Sequence, residues 1–219
     1  MGLMNEPHDI PSISDWAGSV QAAVMAILGA GATSQMTLLP GNDYTGGTQF
    51  VSGGSGAALT AITNPDGSTD NLRTSNAPAL KLIFAQLTNP KVFDVYQYLD
   101  PDSSGTHAYC VKKGISDAFQ PLVTYLQSAN RQALISETGG GSSDSCCLQN
   151  MCEALDFMNE NSKCILGWVG WATGSFQTSY VLSLVPSRGI DVPLLTQCFA
   201  GKFGGGQRVR GEWDGYCWE

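Results

Sequence analysis

The first part of the chain combines a helical pattern of apolar residues with a strand pattern. Apolar residues recur at helical spacing from Val20 to Leu28, which predicts a helix over residues 14–28 that ends at Gly29. The apolar run Met36–Leu39 is closed by a Pro-Gly turn and predicts a short strand that is buried on both faces. A polar loop is expected after this strand.

Strand and helix patterns continue to alternate along the rest of the chain. The predicted strands are Val92–Leu99, Ala133–Ser136 and Ile165–Trp171, and the predicted helices are Ile115–Ala129, Cys147–Asn161 and Val192–Phe199. Short buried strands between amphipathic helices predict an α/β protein of parallel β/α units, either a doubly wound sheet or a (β/α)8 barrel. No Gly-x-Gly-x-x-Gly segment follows a strand and opens a helix, so a dinucleotide site is not supported. The glycines at 139–141 are interpreted as a flexible turn.

The composition indicates an extracellular globular protein. A length of 219 residues with 42% hydrophobic content is sufficient for a buried core, whereas charged residues reach only 14%. The formal net charge of -8 argues against nucleic acid as a partner, because phosphate binding needs clustered Lys and Arg. No apolar run is long enough to span a membrane, so no membrane partner is expected.

The cysteine content also favours secretion. Seven cysteines are many for a reducing compartment and predict disulfides, with at least one free thiol because the count is odd. A zinc site is the weaker alternative, since no Cys-x-x-Cys pair has a matching second half. No signal peptide opens the chain, and Asn5-Glu6-Pro7 has the pattern of a strand end whose upstream part is missing, so we expect a truncated start.

Two acidic residues directly follow predicted strands. Glu6 comes after residues 2–5, and Glu137 comes after residues 134–136. The C-terminal ends of parallel barrel strands gather on one face, so the two carboxylates are expected to converge. Glycoside hydrolysis needs such a pair, about 5 to 5.5 Å apart in retaining enzymes. The structural alternatives are that Glu6 caps a helix and that Glu137 is an ordinary loop acid.

Aromatic residues at strand ends favour a sugar ligand. Trp171, Tyr98 and Tyr44 each lie at or just beyond a predicted strand end, where their rings can stack on the apolar faces of sugars. The alternative is a place in the core, which we expect for Trp168.

Two other chemistries are less well supported. A metal site would draw its ligands from Glu6, His8, Asp9 and His107. The chain has only two His, however, and no His-Glu-x-x-His segment. A serine hydrolase would need a Gly-x-Ser-x-Gly elbow between a strand and a helix, and the sequence has none. We therefore expect neither a metal nor a cofactor.

Two segments resemble glycoside hydrolase family 5, specifically its fungal endoglucanases. They are Gly-Leu-Met-Asn-Glu-Pro-His-Asp at residues 2–9 and Ile-Ser-Glu-Thr-Gly-Gly-Gly at residues 135–141. Supporting segments are residues 31–35, 39–43, 63–68, 104–107 and 167–171. The resemblance implies a (β/α)8 TIM barrel, incomplete here, that runs from the end of strand 4 through helix 8 over residues 1–201. It implies an endo-β-1,4-glucanase (cellulase) acting on cellulose or a related β-glucan, and we expect a secreted monomer.

The resemblance also implies a role for each site residue. Glu6 is the expected acid/base and Glu137 the expected nucleophile of a retaining mechanism. The expected substrate-binding residues are Asn5 at the sugar 2-hydroxyl, His8 on the floor beside the acid, Tyr98 near the nucleophile, Trp171 as the sugar platform, and Tyr44. The family pattern further implies the disulfides Cys110–Cys147 and Cys152–Cys198, with Cys146 as an alternative partner.

The chain departs from the family pattern in several places. Strands 1–3 and most of strand 4 are missing, residues 73–91 interrupt the family segment as a retained intron would, and residues 202–219 form an atypical tail. On strand 6 the family has His-x-Tyr, whereas this chain has Tyr96-Gln97-Tyr98, which changes one polar contact to the substrate. A barrel closes only with all its strands, so we expect little or no glucanase activity from the chain alone. The alternative function is a truncated non-catalytic fragment or pseudoenzyme that at most binds β-glucan.

Overall fold

In the residues that the structure describes, four parallel strands form one sheet. The computed structural model describes residues 1–68, 90–111, 114–174 and 179–202. The strands are β1 (Thr37–Pro40), β2 (Lys91–Tyr98), β3 (Ala133–Gly139) and β4 (Ile165–Gly170), and they lie side by side in chain order. The N-terminal segment lies along the free edge of β1, because Gly2 forms a parallel bridge with Leu38.

Helices precede, connect and follow these strands. They are α1 (Ile13–Gly29), α2 (Gly47–Phe50), α3 (Ser55–Thr60), α4 (Gln120–Ala129), α5 (Ser145–Glu160) and α6 (Ala200–Lys202). The π-helical turns Ile115–Phe119 and Leu195–Phe199 lead into α4 and α6, and a 3-10 turn covers Asp43–Thr45. This parallel strand and helix alternation confirms the predicted α/β class. No helix in the described part of the chain is long and apolar enough to cross a membrane.

Polar side chains fix where the two long helices begin. Ser12 Oγ accepts a hydrogen bond from Asp15 N (3.3 Å) at the start of α1, and Asp144 Oδ1 accepts from Cys147 N (2.8 Å) at the start of α5. Each cap satisfies a first-turn amide that has no partner within the helix. Pro121 lies in the first turn of α4, directly after the π-helical turn Ile115–Phe119, and the helix continues past it to Ala129.

Every residue of β2 is buried, and this strand lies between β1 and β3 with one of its faces covered by helices. On that face Phe93 packs against Phe50, with ring centroids 5.3 Å apart, and the Arg131 guanidinium lies 4.6 Å from the Phe93 centroid. Gln97 Oε1 accepts from Thr48 N (3.2 Å) on the same face. We call this the helix-covered face of the sheet, and alternate residues of β2 project from the opposite, open face.

The segment after β1 differs from the polar loop that the sequence predicted. It contains the turn Asp43–Thr45 and the short helices α2 and α3, and it buries Phe50 and Leu59 completely. Helix α2 has four residues and α3 has six, which is too short for a 3.6-residue period to become visible in the sequence.

Among the described residues, two disulfides connect α5 to neighbouring segments, in the pairs that the family resemblance implied. Cys110–Cys147 joins the segment after β2 to the first turn of α5. Cys152–Cys198 joins the middle of α5 to the π-helical turn Leu195–Phe199. The partner of Cys110 is thus Cys147 and not Cys146.

The two segments predicted as additions lie largely outside the described residues. Of residues 73–91, the last two are described, and Lys91 is the first residue of β2. Of residues 202–219, only Lys202 is described, and its ammonium nitrogen lies 2.6 Å from Asp156 Oδ1.

Candidate active site

An extra residue in β3 places Glu137 on the open face of the sheet. The register between β2 and β3 shifts by one residue at Ser136, so that Tyr96 pairs with Glu137. Without this bulge Glu137 would align with Gln97, whose side chain lies on the helix-covered face. Because paired residues share a face, the bulge directs the Glu137 carboxylate to the same side as Tyr96.

The Glu137 carboxylate is almost completely enclosed and is held by a tyrosine. Glu137 is 8% exposed, and Tyr98, at the end of β2, donates a hydrogen bond of 2.5 Å to Glu137 Oε2. Deeper on the same face, the Ser136 hydroxyl donates to the buried Asp94 carboxylate. Two hydrogen-bonded pairs, Tyr98 with Glu137 and Ser136 with Asp94, thus lie on the open face of two adjacent strands.

Burial and neighbouring charges both act on the Glu137 carboxyl, and one of these charges is that of Glu6. Burial raises the pKa of the Glu137 carboxyl, and the hydrogen bond from Tyr98 opposes this effect. The negative charges of Glu6 and Asp94 raise the pKa further. Burial also raises the pKa of Tyr98, so its phenol stays protonated and remains a donor.

Glu6 lies in a segment with an unusual backbone conformation. Its φ of 44° is in the left-handed region, which non-glycine residues rarely adopt. Residues Asp43–Thr45 also have positive φ, and Tyr44 N donates to Pro7 O (2.9 Å), which joins the two segments. Conformations of this kind cost free energy and are concentrated at functional sites.

Asn5 is connected to β2 through Tyr96. The Tyr96 hydroxyl donates to Asn5 Oδ1 at 3.2 Å, and Tyr96 is 7% exposed. Burial raises the pKa of Tyr96, and the charges of Asp94 and Glu137 add to this effect, so the phenol stays neutral. Tyr96, at the position where the resemblance implied His, therefore provides a neutral hydrogen-bond donor on the same face as Glu137.

His8 and Tyr44 form an exposed stacked pair beside Glu6. Their ring centroids are 4.5 Å apart with an interplanar angle of 17°, and Tyr44 is 54% exposed. His8 Nδ1 also lies 2.8 Å from Asp9 Oδ2. The two residues predicted to contact sugar thus contact each other.

Trp171 directly follows β4 and is held by the end of β3. Its backbone N donates to Thr138 O (2.8 Å), and its peptide bond to Ala172 is cis. Its indole Nε1–H donates to the Tyr180 hydroxyl (2.9 Å). Tyr180 was missed in the sequence, because the residues around it follow neither a helical nor a strand pattern and it belongs to none of the segments that resemble the family.

His107 lies beside Asp100 and Asp102 and not beside Glu6, His8 and Asp9. Its Nδ1 lies 3.1 Å from Asp100 Oδ2 and 3.4 Å from Asp102 Oδ1. The buried Asp100 carboxylate also accepts backbone N–H bonds from Gly105, Thr106 and His107, so it organises this loop. Among the described residues, no group with metal-ligand spacing contains Glu6, His8 or Asp9. The arrangement therefore gives no support to a metal site shared by those three residues and His107.

Comparison with known proteins identifies relatives across most of the chain. The family model described as Cellulase (glycosyl hydrolase family 5) matches residues 1–177. Endoglucanase EG-II from Hypocrea jecorina is 47% identical over 205 residues, which cover 92% of this chain and 44% of that protein. The chain thus spans less than half the length of this relative.

Solved structures show the same similarity. The crystal structure of Cel5A (EG2) from Hypocrea jecorina (Trichoderma reesei) has a TM-score of 0.76 at 46% identity, covering 89% of this chain and 54% of that chain. The structure of XacCel5A in complex with cellopentaose has a TM-score of 0.71 at 29% identity, covering 88% of this chain and 56% of that chain.

Proposed function

The chain belongs to glycoside hydrolase family 5. From that premise we propose that it cleaves β-1,4-glucan within the polysaccharide chain and retains the anomeric configuration. Glu137 is the proposed nucleophile and Glu6 the proposed acid/base. Its sheet and helices form part of a (β/α)8 barrel. The observation that carries the proposal is the enclosed Glu137 carboxylate, which Tyr98 holds and whose pKa responds to the charge of Glu6. EG-II, which is named an endoglucanase, and XacCel5A, which was crystallised with cellopentaose, support a β-glucan substrate.

In the first step Glu137 attacks the anomeric carbon. The bond to the glycosidic oxygen breaks, and the Glu6 carboxylic acid donates its proton to that leaving oxygen. Because Tyr98 engages Oε2, we assign the attack to Oε1. The product is a glycosyl ester on Glu137, and the released chain end carries a new hydroxyl.

In the second step water releases the sugar. The Glu6 carboxylate removes a proton from a water molecule, whose oxygen attacks the anomeric carbon as the ester bond to Glu137 breaks. Two inversions at the same carbon give net retention. The two-carboxylate mechanism needs neither a metal nor a cofactor.

The surrounding residues would bind and orient the glucan. Asn5 is suited to the sugar 2-hydroxyl, because Tyr96 engages its Oδ1 and its Nδ2 is then the atom that donates. Trp171 offers an aromatic face at the end of β4, and the His8–Tyr44 pair offers a second one. The disulfides Cys110–Cys147 and Cys152–Cys198 favour an oxidising compartment, so we propose that the protein acts outside the cell. We also propose that it acts as a monomer.

Azide capture tests the two carboxylate roles separately. With 2,4-dinitrophenyl β-cellobioside and azide, Glu137→Ala is expected to form the α-glycosyl azide, because azide replaces the missing nucleophile in a single inversion. Glu6→Ala is expected to form the β-glycosyl azide, because azide then attacks the intact glycosyl ester. Without azide, each variant should lose at least about a thousandfold in kcat.

The matched control is Glu153→Ala, an exposed glutamate on α5, which should behave like the wild type. Azide products of the opposite configuration would reverse the two roles. Unchanged turnover in either catalytic variant would refute the carboxylate pair.

Binding of β-glucan without turnover is the second candidate function. The observation that favours it is the number of strands, since the described residues form four strands and a (β/α)8 barrel has eight. Calorimetric titration with cellopentaose, followed by chromatography of the sugars, separates the candidates. Binding with no shorter products supports the second candidate, and release of shorter sugars supports the first.

A further inference from the structure

Tyr180 connects the proposed sugar platform to the loop that follows β2. Its hydroxyl accepts from the Trp171 indole N–H at 2.9 Å and donates to Gly105 O at 3.3 Å. One hydroxyl therefore bridges two segments that are distant in the sequence. The phenol is half-buried at the end of the sheet that carries Glu137.

The Gly105 end of this bridge is rigid. Gly105 N donates to the buried Asp100 carboxylate at 3.1 Å, and neighbouring amides of the same loop bind that carboxylate as well. The Gly105 Cα also lies against the Tyr98 ring, since a Cβ placed there would be 3.1 Å from Tyr98 Cδ1. Tyr98 in turn donates to Glu137. The position of Gly105 is thus linked to the position of the nucleophile.

At the Trp171 end of the bridge, the backbone is fixed but the indole ring can rotate about the side-chain torsions. The backbone is held by the bond from Trp171 N to Thr138 O, next to Glu137 in β3. The orientation of the indole depends on two side-chain torsions, and the hydrogen bond to Tyr180 restricts both of them. A sugar that stacks on the indole is positioned by the plane of that ring.

We propose that Tyr180 is a positioning residue that sets the plane of the Trp171 indole, and thereby the ring face on which a sugar stacks beside Glu137. This inference rests on the proposed function. Tyr180 acts through Trp171 on one side and through Gly105 on the other.

The electrostatic environment keeps the Tyr180 phenol protonated. Burial raises the pKa of its phenol, the hydrogen bond from Trp171 opposes this, and the charges of Glu137, Asp100 and Glu6 raise the pKa further. The hydroxyl therefore keeps its proton at the pH at which glycosidases work and can donate and accept simultaneously. Only a group with both capacities can bridge an indole N–H and a carbonyl.

The test replaces the hydroxyl alone. Tyr180→Phe keeps the ring and removes the bridge, while Tyr125→Phe removes a hydroxyl that lies 2.7 Å from Thr60 Oγ1 on the helix-covered side and serves as the matched control. The 1H–15N spectrum shows one indole signal per Trp, and the signal that disappears in Trp171→Phe belongs to Trp171. We expect this signal to move upfield in Tyr180→Phe and to stay in place in Tyr125→Phe.

Kinetics with cellopentaose separate positioning from a merely structural role. If Tyr180 positions the platform, KM rises about fivefold, the size of one net hydrogen bond, while kcat stays within about twofold. If Tyr180 only stabilises the fold, kcat falls with the folded fraction and KM is unchanged. That second result would overturn the proposal, as would an unmoved Trp171 signal.

The outcome remains decisive if the wild-type chain releases no sugars. The dissociation constant for cellopentaose then replaces KM and is expected to rise about fivefold in Tyr180→Phe. If the wild type neither cleaves nor binds cellopentaose, the proposed function fails, and the Trp171 signal alone decides whether Tyr180 sets the indole plane.

Discussion

Tyr98 donates a 2.5 Å hydrogen bond to Glu137 Oε2, although the two residues lie on neighbouring strands that pair in a shifted register. The shift at Ser136 aligns Glu137 with Tyr96, two residues before Tyr98 on the same face of β2. A regular strand would have directed the Glu137 carboxylate toward the helices. The bulge is therefore the feature that creates the site.

Loss of the Tyr98 hydroxyl should move the acidic limb of the pH–rate profile to higher pH. The hydrogen bond from Tyr98 stabilises the ionised form of Glu137 and lowers its pKa, against the raising effect of burial. The nucleophile must be ionised to attack. In Tyr98→Phe the pKa of Glu137 rises. On acidification, kcat/KM therefore begins to fall at a higher pH than in the wild type.

The measurement is the pH dependence of kcat/KM on cellopentaose. At the optimum we expect a loss of about tenfold, because a hydrogen bond to a charged group contributes about 1.5–3 kcal/mol. Tyr125→Phe is the control and should leave the profile unchanged. An acidic limb that stays in place, or moves to lower pH, would show that Tyr98 does not hold the ionised carboxylate.

Much of the fold could be predicted from the sequence, because its strands and long helices carry strong periodic patterns. Strand β4 was predicted within one residue. Trp168, predicted to lie in the core, is half-buried, and its indole packs against the buried Phe199. The short helices α2 and α3 could not be predicted, since each has at most two turns.

The site was only partly predictable. Glu6 and Glu137 were proposed from their positions at predicted strand ends, and in the structure the charge of Glu6 raises the pKa of Glu137, which itself lies within β3. The bulge at Ser136 and the bridge made by Tyr180 depend on contacts between distant segments, which no local pattern encodes. The same holds for the bond from Tyr96 to Asn5, across 91 residues.

Tyr96 and Asn5 should be energetically coupled. Removal of the Tyr96 hydroxyl leaves Asn5 free to turn its amide, so that Nδ2 no longer points reliably at the sugar. In a double-mutant cycle of Tyr96→Phe and Asn5→Ala, we expect a coupling free energy of about 1 kcal/mol in kcat/KM. Tyr125→Phe paired with Asn5→Ala is the control cycle. Additive losses in the Tyr96 cycle would mean that Tyr96 acts independently of Asn5.

The glycines after Glu137 are needed for close packing, which corrects their interpretation as a flexible turn. A Cβ on Gly139 would lie 2.8 Å from Trp171 O, and one on Gly141 would lie 1.7 Å from Ala108 O. Both neighbours are backbone atoms that cannot move aside. The run of glycines therefore lets β3 approach the segments that carry the platform and the disulfide.

Gly139→Ala should consequently destabilise the fold. We expect the free energy of unfolding to fall by about 1–3 kcal/mol, as in other overpacked sites, measured by urea denaturation. Gly167→Ala on β4 is the matched control, because its Cβ would meet Leu134 Cδ1 at an ordinary 3.6 Å. It should change the stability by no more than about 0.5 kcal/mol. Equal effects in the two variants would argue against the tight approach at Gly139.

Glu137→Gln should abolish turnover and at the same time stabilise the protein at neutral pH. The carboxylate is buried near two other acids, and its pKa in the folded state is raised. Because folding raises the pKa of this carboxyl, ionised Glu137 destabilises the folded state at every pH at which the carboxyl is ionised in the unfolded chain. This holds above the ordinary glutamate pKa of about 4.3. Glutamine has the same shape without the charge, and its oxygen still accepts from Tyr98.

We therefore expect Glu137→Gln to raise the free energy of unfolding by about 1 kcal/mol at pH 7, a gain typical of replacing a functional residue. The gain should disappear as the pH falls below about 4, because Glu137 is then protonated in both states. Urea denaturation at the two pH values measures this, with the exposed Glu153→Gln on α5 as a control that should show no gain. A variant less stable than the wild type at pH 7 would mean that the hydrogen bond from Tyr98 outweighs the cost of burying the charge, and that Glu137 stabilises the fold as well as serving the reaction.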